Sequence, residues 1–385
     1  MRHFNFLRNT PAEKDLFYRL PERFNQYTDK KLLSYSLGAT LYMPATRSDL
    51  LEDLKKAYQN DTTSVVLCLE DSIPDEKVKE AEHNLYELLR KLAAIGNSDL
   101  PLLFVRVRSP EHLEHIIEQN GILLSSLTGF VFPKFDDLSR GQAFVDVLQC
   151  YNRTATTSLY YMPVIESPRI IHQDTRHYAL SHVQRILDHS MDSLLAVRIG
   201  ATDMSSAYGL RRSREFTVYD VHVVVSAISD IVNMLGRAED NRVITGAVWE
   251  HFAPSERTFK PLLRESIFAH DKTLRAKLVT EGNDTFIREV QLDKLNGITG
   301  KTVIHPSHVG IVHSLMVVSH EEYVDAMDIL SRDDNGGVMA STYGNKMNEV
   351  KPHTAWARNI QFRARMFGVS REHVGFADFL EQYMV

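Results

Sequence analysis

The stretch Leu159-Tyr-Tyr-Met-Pro-Val-Ile-Glu-Ser167 joins an apolar run to a single carboxylate at its end. A short, continuous apolar run of this length is typical of a strand buried on both faces, as in a parallel sheet. The abrupt change at Glu166 places a charged group where the strand would leave the core. We therefore predict a central parallel strand that delivers Glu166 to a site at its carboxyl end.

Seven further runs of this kind occur along the chain, and helical patterns separate most of them. After the first run, for example, Leu50, Leu51, Leu54 and Tyr58 fall on one helical face. Eight strands alternating with helices predict an α/β protein, and their count and spacing favour a closed (β/α)₈ TIM barrel over an open sheet. The predicted strands are 37–45, 65–69, 102–107, 129–135, 159–167, 193–199, 243–249 and 301–304.

Local signals mark the ends of several predicted elements. Ser109-Pro110 is typical of a helix start, and Ser319 with Glu322 forms a capping-box pattern. Pro133 and Pro163 fall inside two predicted strands, although proline lacks the N–H that a central strand uses. We expect both prolines to occupy strand ends or bulges.

The chain divides into three predicted regions. We expect an N-terminal extension over residues 1–34 that wraps the main domain, a catalytic barrel over 35–330, and a C-terminal helical extension over 331–385. The last region begins with the loop pattern Asp-Asp-Asn-Gly-Gly. Such an extension packs on a neighbouring subunit or covers the barrel mouth.

Composition excludes several classes of protein. A net charge of −6 gives no sign of nucleic-acid binding, and no run of about 18 apolar residues could span a membrane. Cys68 and Cys150 lie in apolar neighbourhoods, so we predict neither a disulfide framework nor a thiolate metal cluster. Two cysteines and the lack of an apolar leader pattern predict a cytoplasmic protein.

Polar side chains accumulate where the predicted strands end. Because active sites of this fold form at the carboxyl ends of the strands, we expect these side chains to converge. The alternative is that strand ends are polar only because loops are polar. The residues concerned are Glu70, Asp71, Arg106, Arg108, Lys134, Glu166, Asp203, Glu250 and His305.

Glu166 and Asp203 are the candidate metal ligands. Two carboxylates from adjacent strands, with no cysteine beside them, form a hard oxygen site that suits Mg²⁺. This ion takes one or two protein carboxylates and completes its octahedron with water and substrate oxygens. The alternative is a buried ion network in which either carboxylate pairs with Arg106 or Arg198.

Arginines and a lysine are the candidate substrate-binding residues. Arg106 and Arg108 lie two apart on one strand, so they point the same way and could hold a carboxylate with bidentate bonds. For Arg108 the alternative is an ion pair with Glu70 or Asp71. Lys134 is a further candidate, and a lysine at a strand end also raises Schiff-base chemistry as a rival.

Two later segments carry weaker signals. Arg211 and Arg212 follow soon after Asp203 and are candidates for binding a phosphate of a bulky substrate, whereas a short charge run is usually a solvated face. His305 precedes a proline, and we interpret it as a structural hydrogen-bonding residue rather than a general base or zinc ligand.

Taken in order, seven segments resemble the beta subunit of citrate lyase and its relatives in the HpcH/HpaI aldolase superfamily. The resemblance is closest to a divergent branch, the C–C bond lyases associated with tellurium-resistance gene clusters. A further segment, NKMNEV at 345–350, is similar to a family element whose acid reaches a neighbouring subunit. The seven are LYMPATRSDLLEDLKKA (41–57), VVLCLEDSIPDEK (65–77), VRVR (105–108), GFVFPK (129–134), PVIESPR (163–169), IGATD (199–203) and GKTVIHPSH (300–308).

The resemblance implies a Mg²⁺-dependent (β/α)₈ lyase that acts on hydroxyacyl thioesters or oxoacids. It implies that Glu166 and Asp203 bind the metal, that Arg106 binds the substrate carboxylate, and that Glu70 is a supporting acid. Glu349 would be a base contributed in trans.

We therefore predict a carbon–carbon lyase or aldolase for a small hydroxy- or oxoacid or its acyl-CoA-like thioester. The protein is expected to be a homo-oligomer, either a trimer or a hexamer. One alternative is thioester hydrolysis on the same scaffold. Another is a non-catalytic barrel that serves in binding or assembly, because Gly38 and Cys68 stand where the family has an arginine and an aspartate.

Overall fold

A closed barrel of eight parallel strands forms the centre of the computed structural model, which describes residues 1–95, 100–136, 138–252, 283–332 and 336–383. Neighbours in the chain are neighbours in the barrel, and the last strand closes on the first where Ala39 lies opposite Lys301. The predicted TIM barrel is confirmed. The strands are β1 (Ala39–Pro44), β2 (Ser64–Cys68), β3 (Leu102–Arg106), β4 (Gly129–Phe132), β5 (Tyr160–Ile165), β6 (Val197–Ile199), β7 (Ile244–Trp249) and β8 (Ile298–Val303).

Helices follow the strands and cover the outside of the barrel with their apolar faces. Leu54, Leu85 and Leu88, for example, are buried against it. The predicted helix start at Ser109 is confirmed, since its hydroxyl accepts a hydrogen bond from the N–H of His112 (3.2 Å). The main covering helices are Leu50–Gln59, Val78–Ile95, Pro110–Asn120, Leu138–Thr154, Gln173–His189, His222–Leu235, Asp284–Leu295 and Ser307–Met316.

Two strand predictions were wrong in their extent. The eighth strand, predicted as 301–304, begins at Ile298 and spans six residues, because Thr299 and Gly300 interrupt the apolar pattern at its start. The sixth strand is only three residues long. Pro163, expected at a strand end or bulge, lies inside β5 opposite Phe132.

Proline in β5 explains the short β6. Tyr161 donates its N–H to Ser193 O (2.9 Å) and accepts from Leu195 (3.0 Å), so alternate residues of β5 face β6. Pro163 is the next residue on that side and has no N–H to donate. The ladder therefore resumes only at Val164 opposite Arg198.

The two extensions pack on each other as well as on the barrel. Phe17–Arg19 of the N-terminal region pairs antiparallel with Val369–Ser370 near the C-terminus. The helix Val350–Phe367 of the C-terminal extension forms a small apolar core with the helix His320–Leu330, which ends the predicted barrel region. The remaining helices are Pro11–Leu16, Lys30–Tyr35, Pro168–Ile171, Ala201–Ser206 and Phe376–Gln382, and a short hairpin joins Val338–Ala340 to Met347–Glu349.

Two observations bear on the expectations from composition. None of the described helices is both long and apolar enough to cross a membrane. Cys68 is buried and Cys150 is exposed, and both are free thiols.

Candidate active site

Glu166 lies directly after β5, with its side chain almost fully buried. Its Oε1 accepts hydrogen bonds from Nη2 of Arg106 (3.0 Å) and from the backbone N–H of Lys134 (3.0 Å). Lys134 adopts a left-handed backbone conformation (φ +52°), which is unfavourable for a residue with a side chain. Strain of this kind concentrates at functional sites.

An ion cluster surrounds the guanidinium of Arg106 at the ends of β2, β3 and β4. Nη2 of Arg106 lies 2.6 Å from Glu70 Oε2 and 2.9 Å from Asp71 Oδ2. Nζ of Lys134 lies 2.7 Å from Glu70 Oε1 and 3.3 Å from Asp71 Oδ1. The structure thus brings together five of the residues that the sequence analysis selected at strand ends.

Asp203 lies in the first turn of the helix Ala201–Ser206, which follows β6. Its Oδ2 is buried and finds no hydrogen-bond partner among the described residues. Burial and the charge of Asp71 raise the pKa of Asp203, although Lys134 and Arg106 oppose the shift. Asp203 is therefore a partly buried carboxylate beside the ion cluster with one oxygen unused.

Burial also raises the pKa of Glu166 to about 7, against the opposing charge of Arg106 and with a contribution from Asp203. The two candidate ligands are thus electrostatic neighbours. The alternative prediction, a buried ion network, is correct in part, because Glu166 pairs with Arg106. Arg198 instead binds the hydroxyls of Thr40 and Thr302.

The raised pKa of Glu166 predicts a pH dependence of stability. Because the folded pKa of about 7 exceeds the ordinary value of 4.5, the folded chain binds more protons between these values. This contribution to the free energy of unfolding is full below about pH 4.5 and is lost as the pH rises to about 7. Urea unfolding at pH 5 and pH 7.5, without divalent ions, should show a smaller decrease for Glu166→Gln than for the parent. Equal decreases would contradict the assignment.

The donor set fits Mg²⁺. Glu166 Oε1 is occupied by hydrogen bonds, whereas Asp203 offers a buried oxygen that has no partner among the described residues. In the described parts of the chain, no group of three or more His, Cys, Asp or Glu could hold a metal. A pair of carboxylates suits a cation that completes its shell with water and substrate oxygens.

Gly200 makes room for the Glu166 carboxylate. A Cβ at Gly200 would lie 2.4 Å from both Cβ and Oε2 of Glu166, closer than van der Waals contact allows. Gly200→Ala is therefore expected to displace the carboxylate and to weaken Mg²⁺ binding about tenfold or more, measured by calorimetry. Gly375→Ala is the matched control, because a Cβ there meets only Asp378 Oδ2 at 3.9 Å. Equal Mg²⁺ affinity in the two variants would show that Gly200 has no such role.

A sequence profile of the C–C bond lyases of the TIM-barrel fold matches residues 31–369. The chain belongs to this family. It is accordingly a carbon–carbon lyase, and the resemblance stated from the sequence is confirmed. A comparison with curated protein sequences gives no match.

Solved structures agree with the barrel fold. A citrate lyase from Burkholderia xenovorans is 14% identical with a TM-score of 0.58, covering 89% of this chain and 96% of that one. The protein CitE from Mycobacterium tuberculosis, solved with magnesium, acetoacetate and coenzyme A, is 18% identical with a TM-score of 0.52, covering 86% and 99%. The Haloferax volcanii malate synthase in complex with magnesium and glyoxylate is 12% identical with a TM-score of 0.50, covering 71% and 73%.

The guanidinium of Arg108 binds different groups from that of Arg106. Its Nη2 pairs with Asp75, and its Nη1 donates to Leu69 O (3.3 Å). Its acidic partner is therefore neither Glu70 nor Asp71, the two acids that the sequence suggested. The strand ends at Arg106, so the alternation that would align the two side chains does not continue to Arg108.

Arg212 belongs to a buried ion network and also lines a cavity beside the helix that carries Asp203. Its guanidinium pairs with Glu289 and donates to Val248 O (2.7 Å). Glu289 Oε1 also accepts from Nζ of Lys301 (2.6 Å). Arg211 is exposed and lines the same cavity, which has a volume of about 450 Å³.

Three further residues lie apart from Glu166 or at the edge of the site. Glu349 is exposed in the hairpin of the C-terminal extension, against the helix His320–Leu330. His305 stacks on Phe252 and hydrogen-bonds Ser307, as expected for a structural residue. Glu250 accepts a hydrogen bond from the hydroxyl of Thr202, next to Asp203.

Sequence reasoning missed Tyr42 in β1. The charges of Arg198, Arg106 and Glu166 all act on its phenol, whose pKa burial raises. Arg198 lies 5.5 Å from the Tyr42 ring and is itself almost fully buried. The sequence did contain a signal for this pair, because Tyr42 and Arg198 are polar residues within otherwise apolar strands.

Proposed function

We propose that the chain is a Mg²⁺-dependent lyase that cleaves a carbon–carbon bond in a small hydroxy- or oxoacid or in its acyl thioester. The observation that carries the proposal is the buried Oδ2 of Asp203, which finds no hydrogen-bond partner among the described residues. A buried carboxylate oxygen is costly unless a donor or cation meets it. Membership of the C–C bond lyase family supports the reaction class.

Glu166 and Asp203 would hold the cation. The bonds from Arg106 and Lys134 to Oε1 orient the Glu166 carboxylate, so that Oε2 lies over Gly200, three residues before Asp203. A bound Mg²⁺ supplies positive charge that stabilises negative charge developing on a substrate oxygen.

Arg106 and Lys134 would bind and orient an anionic substrate. Arg106 contacts its three acids through Nη2, and we assign the neighbouring Nη1 to the substrate carboxylate. Although burial lowers the pKa of Lys134, bonds to Glu70 and Asp71 raise it above its ordinary value. A lysine that keeps its proton is not a nucleophile, which argues against the Schiff-base alternative.

The ligands of the similar structures support the substrate class. Magnesium with acetoacetate and coenzyme A is bound by CitE, and magnesium with glyoxylate by the malate synthase. The cavity beside Asp203 has room for part of a bulkier acyl group. We assign Arg211, on its wall, to a phosphate of the acyl carrier.

The test is product analysis by mass spectrometry with a panel of hydroxyacyl thioesters and free oxoacids. Cleavage yields a keto or aldehyde fragment and a shortened acid or thioester, and Asp203→Asn should abolish it. Free thiol without a carbonyl fragment would instead indicate a thioester hydrolase. No turnover of any member of the panel, with Mg²⁺ binding retained, would favour the non-catalytic barrel.

Glu349 is exposed in a hairpin of the C-terminal extension, which supports a role at the site of another subunit. We propose that it acts as the base in trans in a homo-oligomer, with Glu70 supporting Arg106. Mixing Glu349→Gln with Asp203→Asn subunits should then restore part of the activity that each variant lacks. No recovery in mixed oligomers would contradict the role in trans. The trimer or hexamer, the cytoplasmic location and the association with tellurium resistance stay predictions.

A further inference from the structure

The amino-terminal end of the barrel contains a second cavity, of about 540 Å³. Val243 and Ile298, at the starts of β7 and β8, form its floor. The helix Lys30–Tyr35 of one extension and the helix Val350–Phe367 of the other form its walls. Because the barrel strands are parallel, this cavity lies at the opposite end from Glu166.

Basic side chains outnumber acidic side chains in the lining of this cavity, which we call the basal cavity. Five basic residues contribute to it, against the single acid Glu322. Two of them have acidic partners: Arg363 pairs with Glu322 (3.2 Å), and Arg242 pairs with Asp188 and Asp240. The basic residues are Lys31, Arg237, Arg242, Lys294 and Arg363.

The other three cations hydrogen-bond only to backbone carbonyls among the described residues, and Lys31 Nζ also lies over the rings of Tyr35 (5.4 Å) and Phe362 (5.8 Å). Lys31 Nζ donates to Asn241 O (2.6 Å), Lys294 Nζ to Leu315 O (2.6 Å), and Arg237 Nε to Asn233 O (3.0 Å). No ion pair involves these three within the part of the chain that the structure describes. In addition, Nε of Arg363 is buried and lacks a hydrogen-bond partner among the described residues.

The excess of positive charge around the cavity is reflected in the pKa values of its two lysines. Burial, with the charge of Lys30, lowers the pKa of Lys31 to about 8. Burial, with the charge of Arg363, lowers the pKa of Lys294 to about 8, although the charge of Glu322 opposes the shift. Partly buried ammonium groups that form no ion pair among the described residues are destabilising, and a bound anion would offset that cost.

We propose that the basal cavity binds a small phosphorylated molecule. Guanidinium and ammonium groups together are the donors that recognise phosphate oxygens. The volume suits a molecule of nucleotide size, and Tyr35 and Trp356 provide aromatic walls for its uncharged part. Such a ligand contacts the barrel base and both extensions at once, so it stabilises their packing.

The first test is calorimetric titration of the full chain with inorganic pyrophosphate, at constant ionic strength and with EDTA to remove divalent ions. We expect saturable binding and a rise in the melting temperature. Citrate serves as a comparator that carries charge without phosphate. No saturable binding of pyrophosphate, or equal affinity for citrate, would overturn the proposal.

Variants locate the binding site. Arg237→Gln and Lys31→Gln should each weaken pyrophosphate binding about tenfold or more, since each removes a charge-assisted hydrogen bond. Arg237 is exposed, so its replacement is not expected to disturb the fold. Arg185→Gln, an exposed arginine outside the cavity, is the matched control and should bind as the parent does. Binding lost in Arg106→Gln but retained in Arg237→Gln would place the anion in the barrel mouth and overturn the proposal.

Discussion

Replacing Asp203 with asparagine is expected to weaken Mg²⁺ binding by about 100-fold or more, the upper end of the effect of losing a supporting residue at a metal site. The substitution keeps the shape of the side chain and removes its charge. Because burial and Asp71 raise the pKa of Asp203, its ionised form is unfavourable in the metal-free protein. The free energy of unfolding without Mg²⁺ should therefore stay the same or rise slightly.

This combination separates a metal ligand from a member of a structural ion network. Loss of a network partner would lower stability without Mg²⁺, whereas loss of a ligand lowers only Mg²⁺ affinity. Calorimetry and urea unfolding measure the two quantities. Asp174→Asn, an exposed carboxylate at the start of the helix Gln173–His189, is the control and should change neither. Mg²⁺ affinity of Asp203→Asn within about twofold of the parent would overturn the metal site.

Lys301→Met is expected to lower the free energy of unfolding by about 3–5 kcal/mol. Lys301 is fully buried, and its Nζ lies 2.6 Å from Glu289 Oε1 and 2.7 Å from Asp293 Oδ2. Removing the ammonium leaves carboxylates in the core without their main counter-charge. Glu289 also accepts from the N–H of Val218 (2.6 Å), so the segment that follows Asp203 should loosen as well.

The origin of the loss can be checked with a double variant. If uncompensated charge is the cause, Asp293→Asn added to Lys301→Met should recover part of the stability. Lys55→Met, at an exposed lysine, should change stability by less than about 0.5 kcal/mol. Urea unfolding measures all three variants. A loss below about 1 kcal/mol for Lys301→Met would mean that the network contributes little.

The features of the fold that depend on local sequence patterns were predictable. Runs of mainly apolar residues locate all eight strands, because a strand covered on both faces is predominantly apolar. The caps at Ser109 and Ser319 follow from hydrogen bonds within a single turn, and both are confirmed. The carboxyl-end rule of the barrel then accounts for the meeting of Glu70, Arg106, Lys134 and Glu166, although they are far apart in the chain.

Partner choice among charged groups was not predictable. In the sequence, Arg108 and Arg212 both resemble candidate substrate ligands. In the structure, Arg108 pairs with Asp75 and Arg212 pairs with Glu289. Glu289 is 77 residues from Arg212, and nothing local to either residue indicates the other. Long side chains can reach many acids, so their partners depend on which elements pack together.

The opening stretch, residues 159–167, illustrates the division. By itself the sequence determined a buried strand that ends in Glu166, because a continuous apolar run is a property of neighbouring residues. Only the tertiary structure decided that Glu166 Oε1 would be held by Arg106 and Lys134 and that Gly200 would leave space for its other oxygen. It also decided that one oxygen of Asp203 would find no partner in the parts of the chain that are described. These contacts join different βα units, and their distances are set by closure of the barrel rather than by any one segment.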